Sequence, residues 1–186
     1  MKHFESFLAQ NRVYGLKRSV LNKVKIDKVN CVKDNKVMEQ DELSNFIDGV
    51  INNNLEPKVN EVVVGAINVK IIDYLNSRNI LISQEPIKLT HKRIDHILRD
   101  NKNIEQKLTI KQLKNIKYYL KNSSVYFDEQ KNNLIFTSLL PVNEVKNGRN
   151  IIKIPVNIYK NKNEIATASR ISDDNIKNDN RYKKID

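Results

Sequence analysis

Apolar and polar side chains alternate between residues 151 and 159, and this alternation constrains the fold more than any other feature of the chain. Residues two positions apart point to the same side of an extended strand, so the pattern predicts a strand with one buried face. Pro155 indicates an edge position or a bulge in this strand. Three further segments show strand patterns between turn residues: 124–128, 134–140 and 164–172. Together the four segments predict an antiparallel β-meander.

Two amphipathic helices precede these strands. The first is expected to begin after Thr90 and to cover about 91–100, and the second begins after Thr109 and covers about 110–121. Helices followed by a run of strands are typical of an α+β domain. The sequence therefore predicts helices packed on one face of a four-stranded antiparallel meander, with the other face open for a ligand.

Three regions are predicted along the chain. Residues 1–58 have irregular patterning and are interpreted as an N-terminal arm or small helical subdomain, with an amphipathic helix near 42–51. Residues 59–172 carry the helix and strand patterns of the α+β domain. Residues 173–186 are nearly all charged or amide, which predicts a disordered polar tail.

Several classes of protein are excluded by what the sequence lacks. Cys31 is the only cysteine, so an intramolecular disulfide framework and a thiolate zinc cluster are ruled out. Gly-rich phosphate loops, zinc-protease motifs and calcium loops are absent, and we predict neither a cofactor nor a metal site. The chain has no apolar stretch of transmembrane length and no signal-peptide pattern, which predicts a cytoplasmic protein without membrane partners.

The charge of the chain favours a polyanionic partner. Lys and Arg number 33 against 22 acidic residues, a net charge of +11. The segment 86–121 concentrates this excess, with ten basic and three acidic residues. Neutralising phosphates with such a segment releases counterions and favours binding to nucleic acid. An alternative is that the Lys, Asn and Ile content reflects an AT-rich genome, so the distribution of the charge is more informative than its total.

The first amphipathic helix carries two of the three histidines, His91 and His96. An imidazole can remove the proton of a ribose 2′-OH or protonate the leaving 5′-oxygen, and Arg or Lys can stabilise the charge that develops on the phosphorus centre. The two histidines lie about 140° apart around an ideal helix, so they do not share a face. His96 is the better candidate because it lies near the apolar face, whereas His91 belongs to the first turn.

The segments 62–67, 80–83 and 87–99, followed by a second helix and a meander, resemble the phage branch of the barnase–EndoU–colicin–RelE-like (BECR) nuclease superfamily. The resemblance spans about residues 60–172 and implies an RNase-like fold with metal-independent RNA cleavage. It matches His96 with the helix histidine of the family. It also matches polar positions of the last strand with Thr167 or Ser169, together with Arg170. Where the family has a second histidine, this chain has Asp100 and Asn101, so Asp100 or His91 is the candidate substitute.

The predicted function is therefore a metal-independent ribonuclease of phage or mobile-element origin, acting in the host cytoplasm. The candidate catalytic residues are His96, His91, Arg93, Thr167, Ser169 and Arg170. The candidate nucleic-acid-binding residues are Lys92, Arg99, Lys111, Lys114, Lys117 and Lys121. Two alternatives remain open. One is a non-catalytic module that binds RNA or a ribonucleoprotein and inhibits host defence, and the other is a structural phage component with host or phage protein partners.

Overall fold

The computed structural model describes residues 42–53, 59–99, 103–177 and 180–185, and the chain from Glu42 onward forms one compact unit. The helices are α1 (residues 42–51), α2 (Val69–Ser77), α3 (His91–Leu98), α4 (Ile110–Lys114), α5 (Ile116–Lys121) and α6 (Asp174–Lys177). The strands are β1 (Glu61–Gly65), β2 (Ile87–Thr90), β3 (Ser124–Asp128), β4 (Asn133–Leu139), β5 (Ile151–Ile158), β6 (Asn163–Ile165), β7 (Ser169–Ile171) and β8 (Tyr182–Lys184). The predictions for residues 1–41, Asp100 and Asn101 lie outside the described residues.

The predicted α+β class is confirmed, but the sheet has eight strands rather than four. Its order is β1-β2-β6-β5-β4-β3-β8, and β7 pairs with β5 alongside β6. The pairs are antiparallel except for β2 and β6, which are parallel. The predicted strands form the centre of the sheet, while β1 and β2 extend one edge and β8 extends the other. The four-stranded description was wrong because three strands come from segments outside the meander.

A bulge divides the last predicted strand into β6 and β7. Between the pairs Val156↔Ile165 and Lys153↔Ser169, β5 advances three residues and its partner advances four. Ala166 N donates a hydrogen bond to the Pro155 carbonyl at 2.8 Å, but proline has no N–H with which to return one. The ladder is therefore interrupted beside Pro155, and the extra residue is accommodated there.

The main core lies between the helices and one face of the sheet. The strands β3, β4 and β5 contribute alternate apolar residues to it, as the period of two requires. From β5 these are Ile152, Ile154 and Val156, and they share one buried cluster with residues of α3, including Ile94 and Ile97. This packing fixes α3 against the sheet and so determines which of its flanks remains accessible.

Helix α1 belongs to the same compact unit as the strands. Its apolar stripe consists of buried residues of the main core: Leu43, Phe46, Ile47 and Val50. The boundary predicted at residue 58 therefore differs from the structure, in which the unit begins at Glu42. No helix in the described ranges is both long enough and apolar enough to cross a lipid bilayer.

The opposite face of the sheet, predicted to be open, is covered in part. Ile135, Ile151 and Ile171 form a second buried cluster with Ile176 of α6 and Tyr182 of β8. The segment predicted to be a disordered tail thus forms α6 and β8 in its described residues. Its few apolar side chains have a hydrophobic surface to bury against, which composition alone does not reveal.

Candidate active site

One flank of α3 gathers basic side chains around a histidine. Ile94 and Ile97 face the core, and side chains three or four residues apart lie on the same side of a helix. His96 therefore neighbours Arg93 in the preceding turn and lies between the exposed positions Lys92 and Arg99. His96 and Arg93 are both half-buried, as expected for side chains at the border between core and solvent.

The carboxylate of Glu164 on β6 fixes the position of Arg93. Arg93 Nε donates to Glu164 Oε1 at 3.2 Å and Arg93 Nη2 donates to Glu164 Oε2 at 3.4 Å. Thr90 Oγ1 donates to Glu164 Oε1 at 3.1 Å, and Lys162 Nζ lies 3.7 Å from Oε2. We call these four residues the Glu164 cluster. It joins β2, α3 and β6 at the parallel β2–β6 pair.

The Glu164 cluster keeps this carboxylate ionised. Burial of Glu164 raises its pKa, but hydrogen bonds from Arg93 and Thr90 and the charges of Arg93 and Lys162 lower it. The net result is a pKa below the ordinary range of a glutamate. At neutral pH Glu164 is thus a buried carboxylate anion.

This pKa shift predicts a pH-dependent contribution to stability. Because the folded pKa of Glu164 is depressed, the stabilisation is present above the unfolded pKa of about 4.3 and is lost as pH falls through the folded pKa. We expect Glu164→Gln to lower the free energy of unfolding at pH 7 by about 1–3 kcal/mol. In urea unfolding, the difference from wild type should shrink as the pH is lowered from 7 toward 3.

A matched control for this prediction is Glu129→Gln. Glu129 also pairs with an arginine, Arg78, at 3.0 Å, but both side chains are more than 40% exposed. Exposed pairs contribute about 0–1 kcal/mol, so the control should differ little from wild type at any pH. If the difference in the free energy of unfolding between Glu164→Gln and wild type stays constant with pH, Glu164 is not ionised with a lowered pKa as assigned.

The remaining catalytic candidates are distributed over both faces of the sheet. Thr167 lies in the bulged segment between β6 and β7, three residues after Glu164, and is half-buried. Ser169 pairs with Lys153 and, because neighbours in a strand alternate, lies on the opposite face from Arg170. Arg170 is buried and donates from Nη2 to the Ile104 carbonyl at 3.0 Å. The structure therefore does not bring Ser169 and Arg170 together.

His91 lies on the other flank of α3. Its Nε2 is 3.5 Å from Asp95 Oδ2, and the two side chains are 45% and 65% exposed. Helix geometry places His91 and Asp95 on a different flank from Arg93 and His96, as the predicted angle between the two histidines requires. His91 and His96 therefore belong to different surfaces.

The lysines predicted on the second helix do not form one free cationic face. Lys111 Nζ pairs with Glu144 Oε1 at 3.2 Å, and Lys114 Nζ pairs with Asp48 Oδ2 at 2.6 Å. Lys117 is half-buried and Lys121 is exposed at the end of α5. The predicted helix also breaks at Asn115 into α4 and α5. Lys92 on α3 and Arg99, which follows the last residue of that helix, are both exposed.

Sequence reasoning missed Glu164, the residue that organises the site. The only local signal was an acidic side chain within a short strand, between Asn163 and Ile165. Its partner Arg93 lies 71 residues away, and their contact depends on the parallel pairing of β2 with β6. Local periodicity does not report such a pairing.

Metal ions in proteins are held by groups of His, Cys, Asp and Glu side chains. Within the described ranges, no group of three His, Cys, Asp or Glu side chains is arranged to hold a metal ion. The flank of α3 and the Glu164 cluster bring an imidazole, a guanidinium and a carboxylate onto neighbouring elements. In comparisons with protein-family models, curated proteins and solved structures, nothing matches this chain.

Proposed function

We propose that this chain is a metal-independent ribonuclease with an RNase-like fold, of phage or mobile-element origin, that acts on RNA in the host cytoplasm. The observation that carries the proposal is the juxtaposition on α3 and β6. Arg93 is bound to the buried Glu164 carboxylate, and His96 lies one helical turn from Arg93. A carboxylate, a guanidinium and an imidazole supply a base, a phosphate ligand and an acid.

The proposed reaction is attack by a ribose 2′-oxygen on the adjacent phosphorus. Glu164 accepts the 2′-OH proton, the O2′–P bond forms, and the P–O5′ bond breaks. His96 gives a proton to the leaving 5′-oxygen, which yields a 2′,3′-cyclic phosphate and a 5′-hydroxyl. No oxidant, reductant or metal is needed for this balance.

Arg93 has N–H groups that do not bond to Glu164 and can bind the reacting phosphate. A guanidinium carries five N–H groups, and the Nε and Nη2 atoms of Arg93 each bond to Glu164. The remaining N–H groups can bind a phosphate and stabilise its developing charge. Lys92 and Arg99 are both exposed beside His96, and they extend the positive surface along the path that an RNA strand would take.

The proposal is tested by incubating the purified chain with a defined RNA oligonucleotide in excess chelator. We expect cleavage that the chelator does not inhibit, with products that end in 2′,3′-cyclic phosphate and 5′-hydroxyl groups by mass spectrometry. The same sequence with 2′-O-methyl groups should stay intact because it lacks the nucleophile. Intact RNA, or products with 3′-hydroxyl ends, would refute the reaction.

A second candidate is RNA binding without cleavage, and the saturation of Glu164 favours it. Thr90 and Arg93 donate three hydrogen bonds to this carboxylate, a pattern also found in purely structural ion pairs. This candidate predicts intact RNA in the cleavage assay. It also predicts binding that weakens with salt, with a slope of about −0.7 per phosphate contacted, and that is reduced by Lys92→Gln and Arg99→Gln.

A further inference from the structure

A cavity of about 270 Å³ lies between α2, α5 and β3. Its lining includes neither an α3 nor a β6 residue, so it is separate from the Glu164 cluster. The walls are mostly apolar and contain one aromatic ring, and they include Ile71, Leu120, Val125, Phe136 and Ile185. Ligand pockets combine such apolar walls with a few polar groups that orient the ligand.

Two lysines border this cavity, Lys70 and Lys121. Neither ammonium group pairs with a carboxylate in the described part of the chain, and none of the lining residues is acidic. Other lysines of the fold do have such partners, for example Lys114 with Asp48 at 2.6 Å. An apolar cavity bordered by two lysines, neither of which pairs with a carboxylate among the described residues, is complementary to a ligand with an apolar body and a negative group.

Strand β8, at the edge of the sheet, contributes to the positive charge near the cavity, and the residue that follows it belongs to the apolar wall. Ile185 N donates to the Val125 carbonyl at 2.9 Å, which places Ile185 in the cavity wall. Lys183 is two residues earlier, so it points to the same side of β8 and is exposed there. A third cation therefore lies on this side of the sheet, near the cavity.

We propose that the cavity holds one nucleotide, with its base between the apolar walls and its phosphate between Lys70 and Lys121. The volume suits a planar ring system and is small for a larger ligand. A base can pack against the Phe136 side of the wall, and the ammonium groups neutralise the phosphate. The assignment rests on the proposed RNA substrate, and the same chemistry is offered by a free nucleotide or by one nucleotide of a strand.

The first experiment measures binding of adenosine 5′-monophosphate by isothermal titration calorimetry. We expect it to bind at least tenfold more tightly than adenosine or inorganic phosphate, since each of these makes only half of the contacts. Lys70→Gln with Lys121→Gln should weaken binding tenfold or more. Ala66→Phe, at an exposed position of the cavity wall, should do the same by filling the space. Lys131→Gln, an exposed lysine in the β3–β4 turn, is the matched control and should change nothing.

The second experiment repeats these variants with a 2′-O-methyl RNA, which separates the two sources of the nucleotide. If Ala66→Phe loses RNA binding and the wild-type chain does not bind the mononucleotide, the cavity holds one nucleotide of an RNA strand. Unchanged binding of both probes in all cavity variants overturns the proposal, as does inorganic phosphate binding as tightly as the mononucleotide.

Different results would refute the nucleotide-binding cavity and the proposed ribonuclease. If RNA stays intact while the mononucleotide still binds and Ala66→Phe abolishes that binding, the ribonuclease is refuted and the cavity stands. If RNA is cleaved and no probe responds to the cavity variants, the ribonuclease stands and the cavity is refuted.

Discussion

His96→Ala is expected to lower the rate of RNA cleavage by about 10²–10⁴-fold, the usual contribution of a general acid. Without the imidazole, the 5′-oxygen must leave as an unprotonated alkoxide, which is a poor leaving group. Glu164 and Arg93 contact each other directly, so their arrangement should persist in the variant. The measurement is the single-turnover rate constant on a defined oligonucleotide, with binding measured separately on 2′-O-methyl RNA.

The same helix offers the control. His91→Ala removes an imidazole that is paired with Asp95 on the other flank of α3, and it should leave the cleavage rate within about twofold of wild type. Equal rates for His96→Ala and wild type would refute the role of His96. If His91→Ala is the inactive variant, the reaction belongs to the other flank of the helix.

The local parts of the site could be predicted from the sequence. The apolar spacing of Ile94 and Ile97 predicts the buried face of α3, and both side chains are fully buried. Thr109 was expected to cap the following helix, and its Oγ1 accepts from Gln112 N within a capping box. These features depend on residues within one or two turns, where periodicity and capping chemistry are decisive.

Contacts that depend on strand pairing could not be predicted in this way. Thr90 has the residue type and position of a helix cap, yet its hydroxyl donates to Glu164, 74 residues away. Thr90 and Glu164 meet because β2 and β6 pair in parallel, which brings distant segments together. The Thr90 hydroxyl donates a charge-assisted bond to this carboxylate, and its oxygen accepts no hydrogen bond from the first turn of α3.

The strand near residue 85 also differs in position from the strand that the sequence pattern indicates. Residues 80–83 have a strand pattern, but the structure places the strand at Ile87–Thr90. The backbone before it is satisfied differently, because Asn163 Nδ2 donates to the carbonyls of Ser83 and Glu85 at 3.0 and 2.7 Å. A buried amide thus satisfies two carbonyls of this segment, while Ser83 N donates to the Tyr159 carbonyl at 3.0 Å, and no nearby residue in the sequence indicates these contacts.

Deletion of residues 173–186 is expected to lower the free energy of unfolding by about 3–6 kcal/mol. The deletion removes Ile176 and Tyr182 from the cluster that covers Ile135, Ile151 and Ile171. Burying one large apolar side chain contributes about 1.5–3 kcal/mol, and two are lost together with the pairing of β8 to β3. Against a total of about 5–15 kcal/mol for a typical domain, this loss should be visible as an early urea transition.

Two point variants in the undeleted chain separate this effect from a general loss of chain length. Ile176→Ala should lower the free energy of unfolding by about 2–4 kcal/mol because it leaves a gap in the second cluster. Lys177→Ala alters the next residue of α6, an exposed side chain in a surface ion pair with Asp173, and should change stability by less than about 1 kcal/mol. If Ile176→Ala matches Lys177→Ala, the last segment does not cover the sheet, and that face is again available to a ligand.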